Sequence, residues 1–153
     1  NLYTDLVLMG GGQSIGMGQH FAAAAEGTTG YVTRADCARA AAAALMQETG
    51  SSVLDITGPA AISQGDIAAI LSEISDKDIP YIPISTDDLV QAMIGAGMPE
   101  FMAKVFASFD EAMAKNYLNV VSDDLEKLTG QAGQSARDFL IANKVALLTP
   151  PAH

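Results

Sequence analysis

The pattern of hydrophobic and polar positions is clearest between residues 30 and 58, where it changes from strand to helix and back to strand. Residues 31–33 predict a short strand, and residues 53–57 predict a second one. Between them, the alanine run 38–44 predicts a helix with so little side-chain bulk that it can lie close to a sheet. Strand, helix and strand predict a βαβ unit, and therefore a parallel sheet covered by helices.

Two helix starts are marked by capping residues. Thr33 is followed three positions later by Asp36, and Ser63 is followed at the same spacing by Asp66. A hydroxyl and a carboxylate at this spacing satisfy the free amide groups of a first helical turn. The second of these helices has its apolar residues on one face, at Ile67, Ile70, Leu71 and Ile74.

The pattern beyond residue 78 predicts an edge strand followed by two helices. Residues 79–84 contain two prolines, which cannot donate ladder hydrogen bonds, so we expect this strand at an edge. A helix over 86–93 is stopped by the glycine-rich run 95–97. Pro99 suits the first position of the next helix, whose broad apolar stripe comprises Phe101, Met102, Val105, Phe106, Phe109 and Met113.

The last part of the chain is predicted to be helical. One helix covers 122–128 and ends at Gly130, another covers 135–148, and residues 150–153 form a frayed tail. Neither repeats nor an internal domain boundary are visible, so residues 1–153 are interpreted as one structural portion.

The first thirty residues are ambiguous. Residues 1–9 are apolar and fit a helix or a strand equally. Residues 10–18 are rich in glycine and superficially resemble a phosphate-binding turn, but a good helix does not follow, so we predict a flexible connection. We expect a strand over 21–26, although its alanines favour helix, because 27–30 predicts a turn leading into the next strand.

The composition of the chain limits the kinds of molecule that it is expected to bind. A length of 153 residues with 49% hydrophobic residues suits a soluble domain with a core. The net charge of −10, with only 8 Lys and Arg, argues against binding to nucleic acid or to a membrane surface. A single cysteine suits the reducing cytoplasm, and no window is long and apolar enough to predict a membrane span.

Residue types with catalytic potential are few and scattered. His20, Cys37 and His153 lack the spacing of a metal site, so we expect no metal. His20 is interpreted as a surface or strand-edge residue, and Cys37 as a thiol buried beside alanines, although its place near a helix start allows a reactive thiol. The acidic pairs 87–88 and 123–124 lie at predicted helix starts, where capping explains them better than acid-base catalysis.

Three segments in order, YVTRADCARAAAAAL, LDITGPAAISQGDIAAILSEIS and SFDEAMAKNYLNVVSDDLEKLTG, resemble the second half of NmrA-like proteins, which are atypical short-chain dehydrogenase/reductases. Within that family the chain resembles the small bacterial NAD(P)H-dependent quinone oxidoreductases, from residue 1 to about 143. The resemblance implies an α/β fold of Rossmann type, with a few mostly parallel strands and an α-rich substrate lobe. It also implies that this chain is the C-terminal portion of a longer protein, whose other half carries the GxTGxxG turn that binds NAD or NADP.

The resemblance also places site residues. It puts Asn1 and Tyr3 beside the nicotinamide of the cofactor, with Tyr3 also facing the substrate. Leu2 departs from the family pattern and shifts the register by one residue, which affects Asn1 more than Tyr3. Phe106, from the apolar stripe, is a candidate for the substrate pocket. The chain has no Tyr-x-x-x-Lys motif, so hydride transfer is expected to depend on cofactor placement.

The function implied is an NAD(P)H-dependent oxidoreductase with a quinone or similar small electrophile as hydride acceptor. This chain would form the substrate-side part and would be inactive alone. The alternative is a non-enzymatic NAD(P) sensor that acts through a protein partner, and a weaker one is a separate helical interaction domain. An apolar face left open would favour homo-oligomers.

Overall fold

The computed structural model describes residues 2–47 and 50–149. Its helices and strands alternate in the first half of the chain, and helices dominate the second half. In chain order the elements of this part are α1 (Asp5–Met17), β1 (His20–Ala22), β2 (Thr28–Thr29), α2 (Arg34–Gln47), β3 (Ile62–Ser63), α3 (Gln64–Ser75), β4 (Tyr81–Pro83), α4 (Thr86–Gly95), α5 (Glu100–Ala114), α6 (Asp124–Thr129), α7 (Ala136–Ala142) and α8 (Lys144–Leu148).

The strands are short and form separate ladders. β1 pairs in parallel with β4, with Phe21 opposite Ile82, which confirms the predicted extended segment around the two prolines. β2 pairs antiparallel with β3, and a single parallel bridge joins Tyr3 to Val32. The architecture is thus an α/β fold, rich in helices, with few strands, as predicted.

Neither strand of the predicted βαβ unit forms, since residues 31–33 contribute only the isolated bridge between Val32 and Tyr3. Residues 53–57 do not pair as a strand, and one of their backbone amides bonds to a side chain instead. The Asp55 N–H donates to Asp124 Oδ2 at 2.9 Å, and the Thr57 hydroxyl donates to the Gly58 carbonyl at 2.9 Å. The segment nevertheless runs beside residue 30, since the Gly58 N–H lies 3.4 Å from the Gly30 carbonyl oxygen.

The glycine-rich segment 10–18 is helical, so the predicted flexible connection was wrong. α1 extends to Met17 and ends at Gly18, which has a left-handed backbone with φ of 69°. The helix packs so closely that a Cβ at Gly11 would lie 2.8 Å from Leu147 Cδ2 and 3.2 Å from Leu71 Cδ2. Tertiary packing therefore outweighs the low helix propensity of glycine. Since the glycines lie inside a helix, the phosphate-turn alternative is excluded as well.

The helix that begins at Gln64 was predicted correctly. Ser63 and Asp66 form a complete capping box at the start of α3. The buried face of α3 contributes to the largest hydrophobic core, and Ile74 packs against it at the edge. The buried members of that core are Ile15, Tyr31, Ile67, Ile70, Leu71, Ile79, Ala136, Leu140 and Leu147.

The apolar stripe of α5 was predicted correctly only in its second half, where Met113 is buried and Phe106 and Phe109 are half-buried. Phe101 is 75% exposed and Met102 is 40% exposed, whereas Ala103 and Ala107 are buried. The small residues are buried because they belong to the cluster that α5 shares with Leu89 and Val90 of α4. Pro99 is the residue before the helix rather than its first residue.

Three other boundaries differ from prediction. The predicted turn at 27–30 contains β2, because the chain turns earlier, where the Gly27 N–H donates to the Ala24 carbonyl at 2.9 Å. The strand expected over 21–26 is shorter and begins at His20. The helix expected over 135–148 is divided into α7 and α8 at Asn143. The tail 150–153 lies outside the described residues.

Candidate functional site

A cavity of about 720 Å³ lies between α1, β1, α3, α4 and α5. Most of its wall is apolar, and its lining side chains come from residues 2–110. Among these are Leu6, Val7, Leu89, Met93, Phe106 and Phe109. A largely apolar cavity of this volume, with a small number of polar groups, is typical of a site for a small molecule.

Four polar side chains form a continuous hydrogen-bonded row in this cavity wall. Ser14 Oγ lies 3.0 Å from His20 Nδ1, and His20 Nε2 lies 2.8 Å from Gln64 Oε1. Gln64 Nε2 in turn donates to the Tyr31 hydroxyl at 3.2 Å. We call Ser14, His20, Gln64 and Tyr31 the polar row.

The donor and the acceptor of each hydrogen bond in the polar row can be assigned. Because the Gln64 amide nitrogen donates to Tyr31, its oxygen faces His20, so His20 Nε2 carries a proton and donates. In neutral His20, Nδ1 then accepts from Ser14. In protonated His20, Nδ1 donates to Ser14, whose hydroxyl can turn to the Gly10 carbonyl oxygen 3.3 Å away. The row therefore accommodates both protonation states of His20.

Tyr31 stays protonated at any physiological pH. Tyr31 is only 4% exposed, and burial of its side chain is the main reason that its pKa lies far above the ordinary value. The hydrogen bond from Gln64 opposes the rise, and the negative charge of Asp110 adds to it. Tyr31 is therefore available as a hydrogen-bond donor and not as a base.

Asp110 contributes a carboxylate to the same wall. Its Oδ2 accepts the Ala23 N–H at 2.7 Å. Burial raises the pKa of Asp110, while the bond from Ala23 and the nearby His20 act in the opposite direction. Its charged form is therefore held at a cost to the fold.

Replacing Asp110 with asparagine is expected to increase stability at pH 7 by about 1 kcal/mol or less. The folded-state pKa of Asp110 is raised, so its contribution to stability is complete below the unfolded pKa and is lost as pH rises through the folded pKa. Asparagine keeps an acceptor for Ala23 and carries no charge. Urea unfolding from pH 7 down to pH 4 should show the advantage of Asp110→Asn shrinking as the pH falls.

The control is Asp87→Asn, which removes an exposed carboxylate from the first turn of α4. This variant should be slightly less stable than the parent at pH 7, because the helix dipole favours the charge it removes. Equal effects of the two variants on stability would show that burial of Asp110 does not change the free energy of unfolding.

The structure separates the residues that the sequence predicted for the site. Phe106 lines the cavity and meets Phe109 edge to face, with ring centroids 5.9 Å apart. Tyr3 is outside the cavity wall and is 42% exposed, with the Arg34 guanidinium 5.3 Å from its ring centroid. Asn1 lies outside the described residues. The assignment of Asn1 and Tyr3 to cofactor binding stays a prediction.

The contacts of the other candidate residues favour structural roles over catalytic ones. Burial and the charge of Asp36 raise the pKa of the Cys37 thiol, which disfavours a reactive thiolate. Asp88 belongs to the first turn of α4, where its carboxylate accepts from the N-cap Ser85 hydroxyl at 2.6 Å. Asp124 accepts the Asp55 N–H, and this bond is the main reason that its pKa is lowered. In the described residues, no three His, Cys, Asp or Glu side chains are grouped to hold a metal ion.

The polar row was not predicted from the sequence. His20 was predicted at a strand edge, where it lies, but its partners Ser14, Tyr31 and Gln64 could not be identified. His20 is six positions from Ser14 and 44 from Gln64, and Gln64 is 33 from Tyr31. Such separations leave no signal in a single sequence.

Comparisons with known proteins identify several reductases and oxidoreductases as relatives. No protein-family model matches the chain. An NAD(P)H azoreductase of Xenophilus azovorans is 29% identical over 130 residues, which are 84% of this chain and 46% of that protein. Quinone oxidoreductase 2 of Escherichia coli is 32% identical over 130 residues, which are 84% of this chain and 45% of that protein. The chain thus spans about half the length of the curated relatives it matches.

Solved structures show the same relationship. The NADPH complex of an NADPH-dependent quinone oxidoreductase from Escherichia coli superposes with a TM-score of 0.84 and 27% identity, covering 97% of this chain and 51% of that one. The NADP(H) complex of Citrobacter triphenylmethane reductase gives a TM-score of 0.86 and 30% identity, covering 94% and 50%. In the part of the chain that the structure describes, no helix is both long and apolar enough to cross a membrane.

Proposed function

The chain belongs to the NmrA-like group of atypical short-chain dehydrogenase/reductases, and from that premise we propose that it is the substrate-side part of an NAD(P)H-dependent oxidoreductase. The proposed hydride acceptor is a quinone or a similar small electrophile. The observation that carries this proposal is the cavity of about 720 Å³ with its polar row. Relatives that reduce quinones, azo compounds or triphenylmethane dyes, as their names state, support it.

The cavity is suited to a flat, mostly apolar molecule with oxygen atoms. Phe106 and Phe109 offer aromatic faces, and Leu89 and Met93 keep water away from the bound ring. The polar row lies at one place in the wall and can hydrogen-bond to a carbonyl oxygen. An acceptor of this kind would be held in one orientation, which hydride transfer requires.

The described residues fit only one end of a nicotinamide cofactor. The exposed ring of Tyr3, with Arg34 beside it, supports placing the nicotinamide near the bridge between Tyr3 and Val32. Residues 2–47 and 50–149 contain no glycine-rich turn at a helix start that could bind the cofactor phosphates, since the glycines of α1 are inside the helix. When bound, NADPH or NADH supplies the hydride.

Placement of the acceptor is the main task of this chain in the reaction. A quinone that gains one hydride at oxygen or carbon and one proton from solvent becomes a hydroquinone. This chain would bind the quinone, exclude water from the ring and orient one carbonyl oxygen toward the polar row. Such a role agrees with the absence of a Tyr-x-x-x-Lys motif from the sequence.

NADPH oxidation by the purified full-length protein that contains this chain, followed at the absorbance of the reduced cofactor over a panel of quinones, tests this function. We expect turnover with small quinones. The variant Phe106→Ala, which removes an aromatic face from the cavity, should weaken quinone binding and raise KM about tenfold or more. Phe101→Ala is the matched control, because Phe101 is exposed on the same helix and does not line the cavity.

Two results would contradict the proposal. Cofactor binding without turnover of any acceptor, together with retention of a protein partner, would favour the NAD(P) sensor. Equal KM values for Phe106→Ala and Phe101→Ala would show that the quinone binds elsewhere.

A further inference from the structure

The Tyr31 hydroxyl has an unused donor in the cavity wall. Its oxygen accepts the Gln64 amide N–H at 3.2 Å. Among the hydrogen bonds of the described residues, its own proton is donated to none. Because buried hydroxyl donors are nearly always paired, an unpaired one in a cavity wall points to a ligand acceptor.

The polar neighbours of Tyr31 are hydrogen-bonded to other groups. Gln64 donates to the hydroxyl oxygen and also contacts Met113 Sδ at 3.5 Å, so its amide group offers no acceptor on this side. The oxygen of that amide is occupied by His20. Asp110 Oδ2 is held by the Ala23 N–H. Both Tyr31 and Gln64 line the cavity.

We propose that Tyr31 is a catalytic residue that donates its hydroxyl proton in a hydrogen bond to the carbonyl oxygen of the bound acceptor, with Gln64 as the residue that positions it. This inference rests on the proposed oxidoreductase function and adds the residue that activates the acceptor. It also defines the acceptor class as molecules with a carbonyl oxygen or an equivalent lone pair at the reacting end.

The bond would strengthen during the reaction. As hydride arrives at the acceptor, the C=O electron pair moves onto oxygen, and the negative charge that develops there is stabilised by a hydrogen bond from Tyr31. Tyr31 keeps its proton, because burial raises its pKa far above the ordinary value. The proton that completes the reduced product comes from solvent.

Gln64 determines the orientation of Tyr31. An N–H that donates to the hydroxyl oxygen forces the phenolic proton to point away from Gln64. Gln64 is itself fixed, since it is the first residue of α3, directly after the N-cap Ser63, and its side chain is bonded to His20. The rest of the polar row thus holds the donor in place.

The test compares Tyr31→Phe with Tyr81→Phe in the quinone assay. Both variants lose one tyrosine hydroxyl, but the Tyr81 hydroxyl donates to the Ala25 carbonyl at 3.0 Å, and Tyr81 does not line the cavity. We expect Tyr31→Phe to lower kcat about tenfold to a hundredfold with little change in KM, and Tyr81→Phe to keep the parent rate. Gln64→Met, which removes the amide and keeps the bulk, should lower kcat by a smaller factor.

Infrared spectroscopy of a bound quinone gives a second readout that a purely structural role would not change. The carbonyl stretch should shift to lower frequency in the parent protein and in Tyr81→Phe, and should return toward its unbound value in Tyr31→Phe. An unchanged kcat and an unchanged carbonyl shift in Tyr31→Phe would overturn the inference. A shifted carbonyl in a protein that oxidises no NADPH would support the contact and refute the proposed function.

Discussion

Gly58→Ala is expected to destabilise the fold by about 4 kcal/mol or more, or to prevent folding. A Cβ built at Gly58 would lie 1.8 Å from the Tyr31 carbonyl oxygen and 3.0 Å from its carbonyl carbon. Both are backbone atoms, so relief requires the two chain segments to separate rather than a side chain to turn. Denaturant unfolding followed by circular dichroism would measure the loss.

Gly16→Ala is the control for this effect. Gly16 lies within α1, and a Cβ there would meet nothing within 4 Å. Alanine at this position should stabilise the protein by about 0.5–1 kcal/mol, because it lowers the entropy cost of forming the helix. A loss of less than about 1 kcal/mol for Gly58→Ala would show that the two segments are not in contact.

The contact at Gly58 also connects stability to the site. Tyr31 supplies both the backbone oxygen that Gly58 approaches and the side chain at the end of the polar row. A partly folded Gly58→Ala protein is therefore expected to lose quinone turnover together with stability. Residues 30–33 and 58 are held side by side without a regular ladder.

Local signals in the sequence were reliable where the physical cause is local. The capping box at Ser63 and Asp66 involves residues three apart, and the structure contains both of its hydrogen bonds. Gly130 ends α6 with a left-handed φ of 71°, as expected of a glycine after a helix. The two prolines of 79–84 indicated an edge, and β4 pairs with one strand only.

Predictions failed where distant residues decide the conformation. The glycines of α1 have low helix propensity, and the close packing at Gly11 is against Leu71 and Leu147, which are far away in the chain. Residues 53–57 have the pattern of a strand, but the Asp55 N–H bonds to Asp124 and the Thr57 hydroxyl bonds to the Ser122 carbonyl oxygen. A single sequence contains no information on these contacts.

The candidate site was predicted only in part for the same reason. Phe106 could be selected because it lies on an apolar stripe, and it does line the cavity. Ser14, Tyr31 and Gln64 are ordinary residues until the fold brings them together. The family resemblance supplied the cofactor and the reaction class, and the relatives support it over the half of their length that this chain covers.

Asp36→Ala is expected to destabilise the fold by about 2–4 kcal/mol. The sequence suggested that Asp36 caps α2, but only half of a capping box forms, with the Asp36 N–H donating to Thr33 Oγ1 at 3.0 Å. The carboxylate instead accepts from Arg39 Nη2 at 2.6 Å and from the Gln134 N–H at 2.8 Å. It is 8% exposed, so alanine would leave a half-buried guanidinium without its anion.

The loss should exceed that of an ordinary ion pair, because Arg39 also joins α2 to the segment between α6 and α7. Its guanidinium donates to Thr129 Oγ1 at 3.2 Å and to the Ala132 carbonyl at 3.2 Å. Glu73→Ala is the matched control, since it breaks the exposed pair with Arg137 and should cost less than about 1 kcal/mol. Unfolding free energies in urea would compare the two variants. Equal losses would mean that Asp36 does not hold α2 to that segment, whereas a larger loss for Asp36→Ala would identify the pair as the link between these helices.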